Sequence, residues 1–165
     1  MKIGKKFNHN YFKENFLAID PGSEGTGLAL WLLGKGPYTT KILDYAGHTW
    51  EEKCDYICMQ LRYEIKQREW LRCIYCEQPQ YMSTFKGHTS ATSGSLYKLC
   101  TLFGRFWEIS ISLNKKFFPV EIPKWKGQLD KQKVKIRVDN ILPGNDYKSH
   151  AIDAVGIGLY VKGLF

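Results

Sequence analysis

Residues 16–19, Phe-Leu-Ala-Ile, are apolar at every position, and the run stops at Asp20. Apolar residues at consecutive positions predict a strand covered on both faces. Residues 16–20 therefore read as a first strand and 26–33 as a second, with the turn Pro-Gly-Ser-Glu-Gly between them. Residues 41–47, KILDYAG, read as a third strand. The period then changes. Cys54, Ile57, Cys58, Leu61 and Ile65 recur at helical spacing and predict a helix over 50–69, opened by a capping box from Thr49 to Glu52. LRCIYCE, residues 71–77, is apolar on both faces except at its end, which suits a central strand.

Residues 78–92 are polar and turn-rich, and a loop of that length in a compact domain is commonly functional or mobile. A helix is predicted over 93–113 with two apolar stripes. One holds Leu96, Leu99, Cys100, Phe103, Trp107 and Ile111; the other holds Leu102, Phe106, Ile109 and Leu113. The second stripe faces either another element of this chain or a second subunit, and in the latter case it is the candidate dimer interface. KFFPVEI reads as an edge strand, where Pro119 is best tolerated. A helix over 131–142 stops at Pro143-Gly144. A last helix, HAIDAVGIGLYVK, is capped by Ser149 and ends near Gly163. This order predicts an α/β fold: an antiparallel meander extended by a strand that a helical crossover brings in parallel. The chain reads as one domain over 1–165, with an irregular lead over 1–15.

Composition narrows the partner. The chain is 44% hydrophobic and 15% aromatic, enough to build a core. Its net charge of +8 and pI of about 9.2 favour an anionic partner, a nucleic acid or a membrane surface. No uncharged apolar run reaches the roughly 18 residues a membrane span needs. The N-terminal lysines have no apolar stretch behind them, so no secretory signal is expected. Nucleic acid therefore leads. Five cysteines, an odd count, suit a reducing cytoplasm. Cys73 and Cys76 form a CxxC, but on a strand that offset puts them on opposite faces.

The chemistry lies where apolar runs end in carboxylates. Asp20 ends the first strand and Glu77 the fourth. Neighbouring strands lie about 4.8 Å apart, so two such ends can be close. His150 and Asp153, three apart on the last helix, share one face that could meet them. Carboxylates so close repel one another unless a divalent cation intervenes, and oxygen-rich sites suit magnesium or manganese. Such clusters commonly serve phosphodiester cleavage. Singly, each residue has a plain structural explanation; together, on a basic chain, they point to a nuclease. Residues 115–137 add Lys115, Lys116, Lys124, Lys126, Lys131, Lys133, Lys135 and Arg137, with Phe117, Phe118 and Trp125 interleaved. That pattern predicts either a phosphate-tracking surface with stacking partners or a solvated helix face over core aromatics, and the first is the reading taken forward.

Four segments resemble the RuvC-type Holliday junction resolvases. IDPGSEGTG looks like their first motif, CIYCEQPQYM their second, SGSLYKLCTLFGRF the helix behind it and HAIDAVGIGLY the last. The short length and the WKGQL segment look most like the phage-encoded branch. The resemblance implies an RNase H-like fold, a mixed five-stranded sheet with helices on both faces. It further implies a homodimer that cuts four-way DNA junctions with two magnesium or manganese ions per active site, in bacterial or phage-infected cytoplasm. Asp20, Glu77 and Asp153 would be metal ligands, and His150 a ligand or proton-transfer group. Lys126 and Lys131 correspond to lysines near the scissile phosphate. Tyr81 or Phe85 would stack on an unpaired base, with Lys86 beside them. Other readings are a nuclease acting on flap or other branched DNA or on RNA–DNA hybrids, a junction-binding architectural protein, and an actin-like ATPase or sugar kinase. The last needs a second nucleotide-binding half for which the chain has no room.

Overall fold

The structure, a computed structural model, describes residues 14–44, 47, 49–80 and 94–165. Strands β1 (Phe16–Asp20), β2 (Thr26–Trp31) and β3 (Pro37–Leu43) form the antiparallel meander. Helix α1 (Trp50–Lys66) then carries the chain across, and β4 (Cys73–Gln78) joins β1 in parallel. Helix α2 (Ser95–Ser112) brings in β5 (Lys116–Glu121), parallel to β4. A one-turn helix α3 (Ile122–Trp125), then α4 (Lys131–Ile141) and α5 (Ser149–Val161), complete the chain. The sheet order is β3-β2-β1-β4-β5, the mixed five-stranded sheet expected. Pro119 sits on the outermost strand, where a missing N–H costs least.

Alternation along the strands splits the core in two. Leu17, Ile19, Leu28, Leu30, Ile74 and Cys76 face α1 and α2. Phe16, Ala18, Ala29, Trp31, Cys73 and Tyr75 face α4 and α5. Cys73 and Cys76 thus lie on opposite faces, as the strand period requires, and all five cysteines are free. The Thr49–Glu52 capping box is formed reciprocally.

Several expectations need correction. The third strand lies at 37–43 rather than 41–47, because most of its side chains face solvent and carry no apolar signal. Ser149 opens α5 as its first helical residue; the N-cap is Lys148, without a side-chain hydrogen bond. Asp130, by contrast, caps α4 through the amide of Lys133. The second stripe of α2 is not a subunit interface. Leu102, Phe106 and Ile109 are buried in their own subunit against α1 and the sheet, with Leu113 packed beside them. The first stripe is instead half open, with Cys100, Trp107 and Ile111 exposed.

Candidate active site

β1 and β4 run parallel with Ile19 opposite Cys76. One residue further, the same register sets Asp20 beside Glu77 at the carboxyl ends of the two strands. Asp20 continues the face of Phe16 and Ala18, and Glu77 that of Cys73 and Tyr75, so both carboxylates turn toward α5. There they meet the buried Asp153. All three carboxylates are nearly buried, at 6%, 9% and 6% exposure for Asp20, Glu77 and Asp153.

Each carboxylate has a partner. His150 Nδ1 lies 3.1 Å from Asp20 Oδ2. The Trp125 indole N–H donates to Glu77 Oε2 at 2.8 Å, and Lys126 Nζ stands 3.5 Å from the same oxygen. Lys131 Nζ lies 3.5 Å from Asp153 Oδ2. Burial, reinforced by the charge of Asp20, raises the Glu77 carboxyl to about 7 against the pull of Lys126 and Trp125. Burial and then Asp20 also raise Asp153, while Lys126 and Lys131 oppose them. Burial thus outweighs the lysines at both carboxyls and disfavours their ionised forms as long as no cation is present.

The residues fit a divalent cation in charge and donor type. Asp153 Oδ1 is buried with no hydrogen-bond partner, an acceptor that a cation would satisfy. Three carboxylates and an imidazole form an oxygen-rich set of the kind hard cations prefer. Among the described residues no three His, Cys, Asp or Glu side chains are drawn together into a closed coordination shell. The donors are held by lysines, an indole and an imidazole rather than by one another.

The glycine turn between β1 and β2 makes room for this arrangement. A Cβ on Gly27 would lie 2.0 Å from the His150 carbonyl oxygen, and one on Gly22 would lie 2.8 Å from His150 Cε1. The space is taken by the first turn of α5 and its imidazole, which seats His150 over Asp20.

The structure brings together Asp20, Glu77, His150, Asp153, Lys126 and Lys131. Lys124 and Lys133 are surface residues on α3 and α4, paired with Glu121 and Asp130. Lys135 pairs with Asp139, and Arg137 stands over the Phe165 ring. Lys115 and Lys116 lie elsewhere. β5 starts beside Cys73, about 13 Å of strand from Glu77. Lys115 donates there to the carbonyls of Glu69 and Leu71, and Lys116 pairs with Glu14. The interleaved aromatics are packing residues. Phe117 contacts Phe103 and Trp107, Phe118 stacks on Tyr75, and Trp125 is buried. Tyr81, Phe85 and Lys86 lie outside the described residues. Trp125 is the site residue that sequence reasoning misplaced; its position directly before Lys126 was the available signal.

No protein-family model and no curated protein sequence matches the chain. Solved structures do. T. thermophilus RuvC in complex with a Holliday junction substrate superposes with a TM-score of 0.69 at 17% identity, over 91% of this chain and 94% of that one. A second Thermus thermophilus RuvC structure gives 0.62 at 18% identity, over 88% and 91%. At that identity the likeness speaks for architecture: the chain has the RNase H-like fold of RuvC, a mixed five-stranded sheet with helices on both faces.

Proposed function

We propose that this protein is a metal-dependent, structure-selective DNA endonuclease that resolves four-way junctions by paired nicks, acting as a homodimer of the phage-encoded RuvC type. The observation that carries the reading is the meeting of Asp20, Glu77 and Asp153 with Lys126 and Lys131. Three buried carboxylates whose ionised forms burial disfavours, rimmed by two lysines from a basic segment, suit both a cation and a phosphate. The RuvC neighbour bound to a Holliday junction supports the substrate class. The net charge of +8 supports an anionic partner. Among the described residues no helix is long and apolar enough to cross a membrane, in keeping with action on DNA in the cytoplasm of a bacterial or phage-infected cell.

Asp20, Glu77 and Asp153, with His150, are the residues that would hold two magnesium or manganese ions. Bound there, the ions supply charge stabilisation to phosphate oxygens and ease generation of a nucleophile. The protein's own groups do the rest. With Nδ1 engaged by Asp20, the His150 Nε2 is the nitrogen left either to face an ion or to pass a proton. The Lys126 and Lys131 ammonium groups shift from their carboxylates to a phosphate oxygen as substrate enters.

The test is cleavage of a synthetic four-way junction, a flap, a plain duplex and an RNA–DNA hybrid in magnesium. The junction should be cut in preference to the others. Asp20→Asn should lose several kcal/mol of transition-state stabilisation, at least about 100-fold in rate, while still binding the junction. Equal cutting of duplex, or normal cutting by Asp20→Asn, overturns the reading.

A further inference from the structure

We propose that Trp125 is the positioning residue of this site, one side chain that orients both Glu77 and Lys126; the inference rests on the nuclease reading and adds a residue to it. Two surfaces of the indole are in use. Its N–H edge donates to Glu77 Oε2 at 2.8 Å. Its face carries the Lys126 ammonium, 4.7 Å from the ring centroid. That ammonium in turn stands 3.5 Å from the same Glu77 oxygen, so the three groups close a triangle.

A glutamate at a strand end has three side-chain torsions, and a lysine has four. Neither holds a set position without support. The indole is a rigid support because it is locked in the core. It is 3% exposed and packs on Phe165 at 5.6 Å between ring centroids. It also lies so close to α5 that a Cβ on Gly156 would stand 2.7 Å from Trp125 Cζ3. Both described contacts to the Glu77 carboxylate fall on Oε2, which leaves Oε1 outside them. A carboxylate pinned through one oxygen offers the other in a set direction, as a ligand must. Trp31, buried on the same face of the sheet, supplies the contrast: its N–H has no hydrogen-bond partner among the described residues, and the lysine over its ring, Lys162, donates to the Lys35 carbonyl and to no carboxylate of the site.

The experiment measures manganese binding by isothermal titration calorimetry on the full chain without DNA, alongside junction cleavage and junction affinity. Trp125→Phe keeps a ring in the core and removes the N–H. Replacement of Trp125 by benzothienylalanine keeps the shape and removes only the N–H, which covers failure of the Phe variant to fold. Val138→Ala, a fully buried position on the same face of the sheet, controls for lost packing. Loss of an outer partner of a ligand typically costs about 10–100-fold in metal affinity. Both Trp125 variants should therefore bind manganese at least about 10-fold more weakly than Val138→Ala, with junction affinity in the absence of metal unchanged. If they bind manganese as Val138→Ala does, Trp125 is a packing residue and the inference fails while the nuclease reading stands. If the unsubstituted protein binds no manganese, both fall.

Discussion

Glu77 carries the conflict on which the site is built. Burial and the charge of Asp20 lift its carboxyl from the ordinary 4.5 to about 7. The folded protein therefore holds a proton that the unfolded chain releases, and stability falls as pH rises through the window from 4.5 to about 7. Above that window the ionised carboxylate is a cost, in the absence of metal, that an amide would not carry. Glu77→Gln should raise the melting temperature in chelator at pH 8, by on the order of 2 kcal/mol of stability, and change it little at pH 4.5. A lower melting temperature for Glu77→Gln at pH 8 would show that Lys126 and Trp125 outweigh burial and Asp20. The same conflict is why these acids were legible in sequence. A carboxylate at the end of one apolar strand has a plain structural explanation; two such ends, followed by His150 and Asp153 three apart on a late helix of a basic chain, do not. Trp125 was misplaced, since an aromatic among lysines looks alike whether it faces DNA or the core, and only its position directly before Lys126 pointed to the site. Lys115 and Lys116 misled because their distance from Glu77 depends on which end of β4 meets the start of β5.

At the scale of elements, the site depends on how closely α5 lies on β2. Gly27 pairs with Asp20 across the hairpin and faces the His150 backbone. A Cβ there would meet a carbonyl oxygen at 2.0 Å, and a backbone atom cannot rotate away. In Gly27→Ala the first turn of α5 must move, taking His150 with it. The expected loss is about 1–3 kcal/mol of stability, read from denaturant unfolding. Cleavage should fall further than that loss explains at a temperature where the variant is fully folded. Full activity in folded Gly27→Ala would mean that the fit of α5 is not critical. The periodicity of α5 and of α2 was visible in sequence, but not which neighbour covers each face. Two stripes on α2 were correctly read, yet only the packing shows that Leu102, Phe106 and Ile109 point inward. β3 escaped placement for the opposite reason, being an outer strand with few buried side chains and therefore little pattern.

At the scale of the molecule, one chain carries one Asp20–Glu77–Asp153 set, and resolution of a four-way junction needs matched nicks in two opposed strands. The proposed two-fold dimer would supply both sites about the axis of the junction. With the inner stripe of α2 spent on the core, the proposed interface moves to the outer one. Trp107 and Ile111 are 50% and 60% exposed. Gly104, Trp107, Glu108, Ile111 and Ser112 line a shallow depression there. Trp107 is backed by Phe117, with the rings nearly parallel and 5.9 Å apart, so it offers a partner a firm aromatic surface. An apolar helix face of this kind is a better candidate for a second copy than for water. Trp107→Glu should leave a folded monomer by sedimentation at micromolar concentration, with a stability loss of about 1–2 kcal/mol from its contacts to Phe103 and Phe117. Phe106→Ala, a core deletion, should instead cost about 3–5 kcal/mol of stability without selectively splitting the dimer. A mixed dimer of the unsubstituted chain and Asp20→Asn should nick one strand of a junction and leave its opposite intact. Two nicks from that mixed dimer would mean that each site serves both strands in turn. A dimer that survives Trp107→Glu would move the interface off this face of α2.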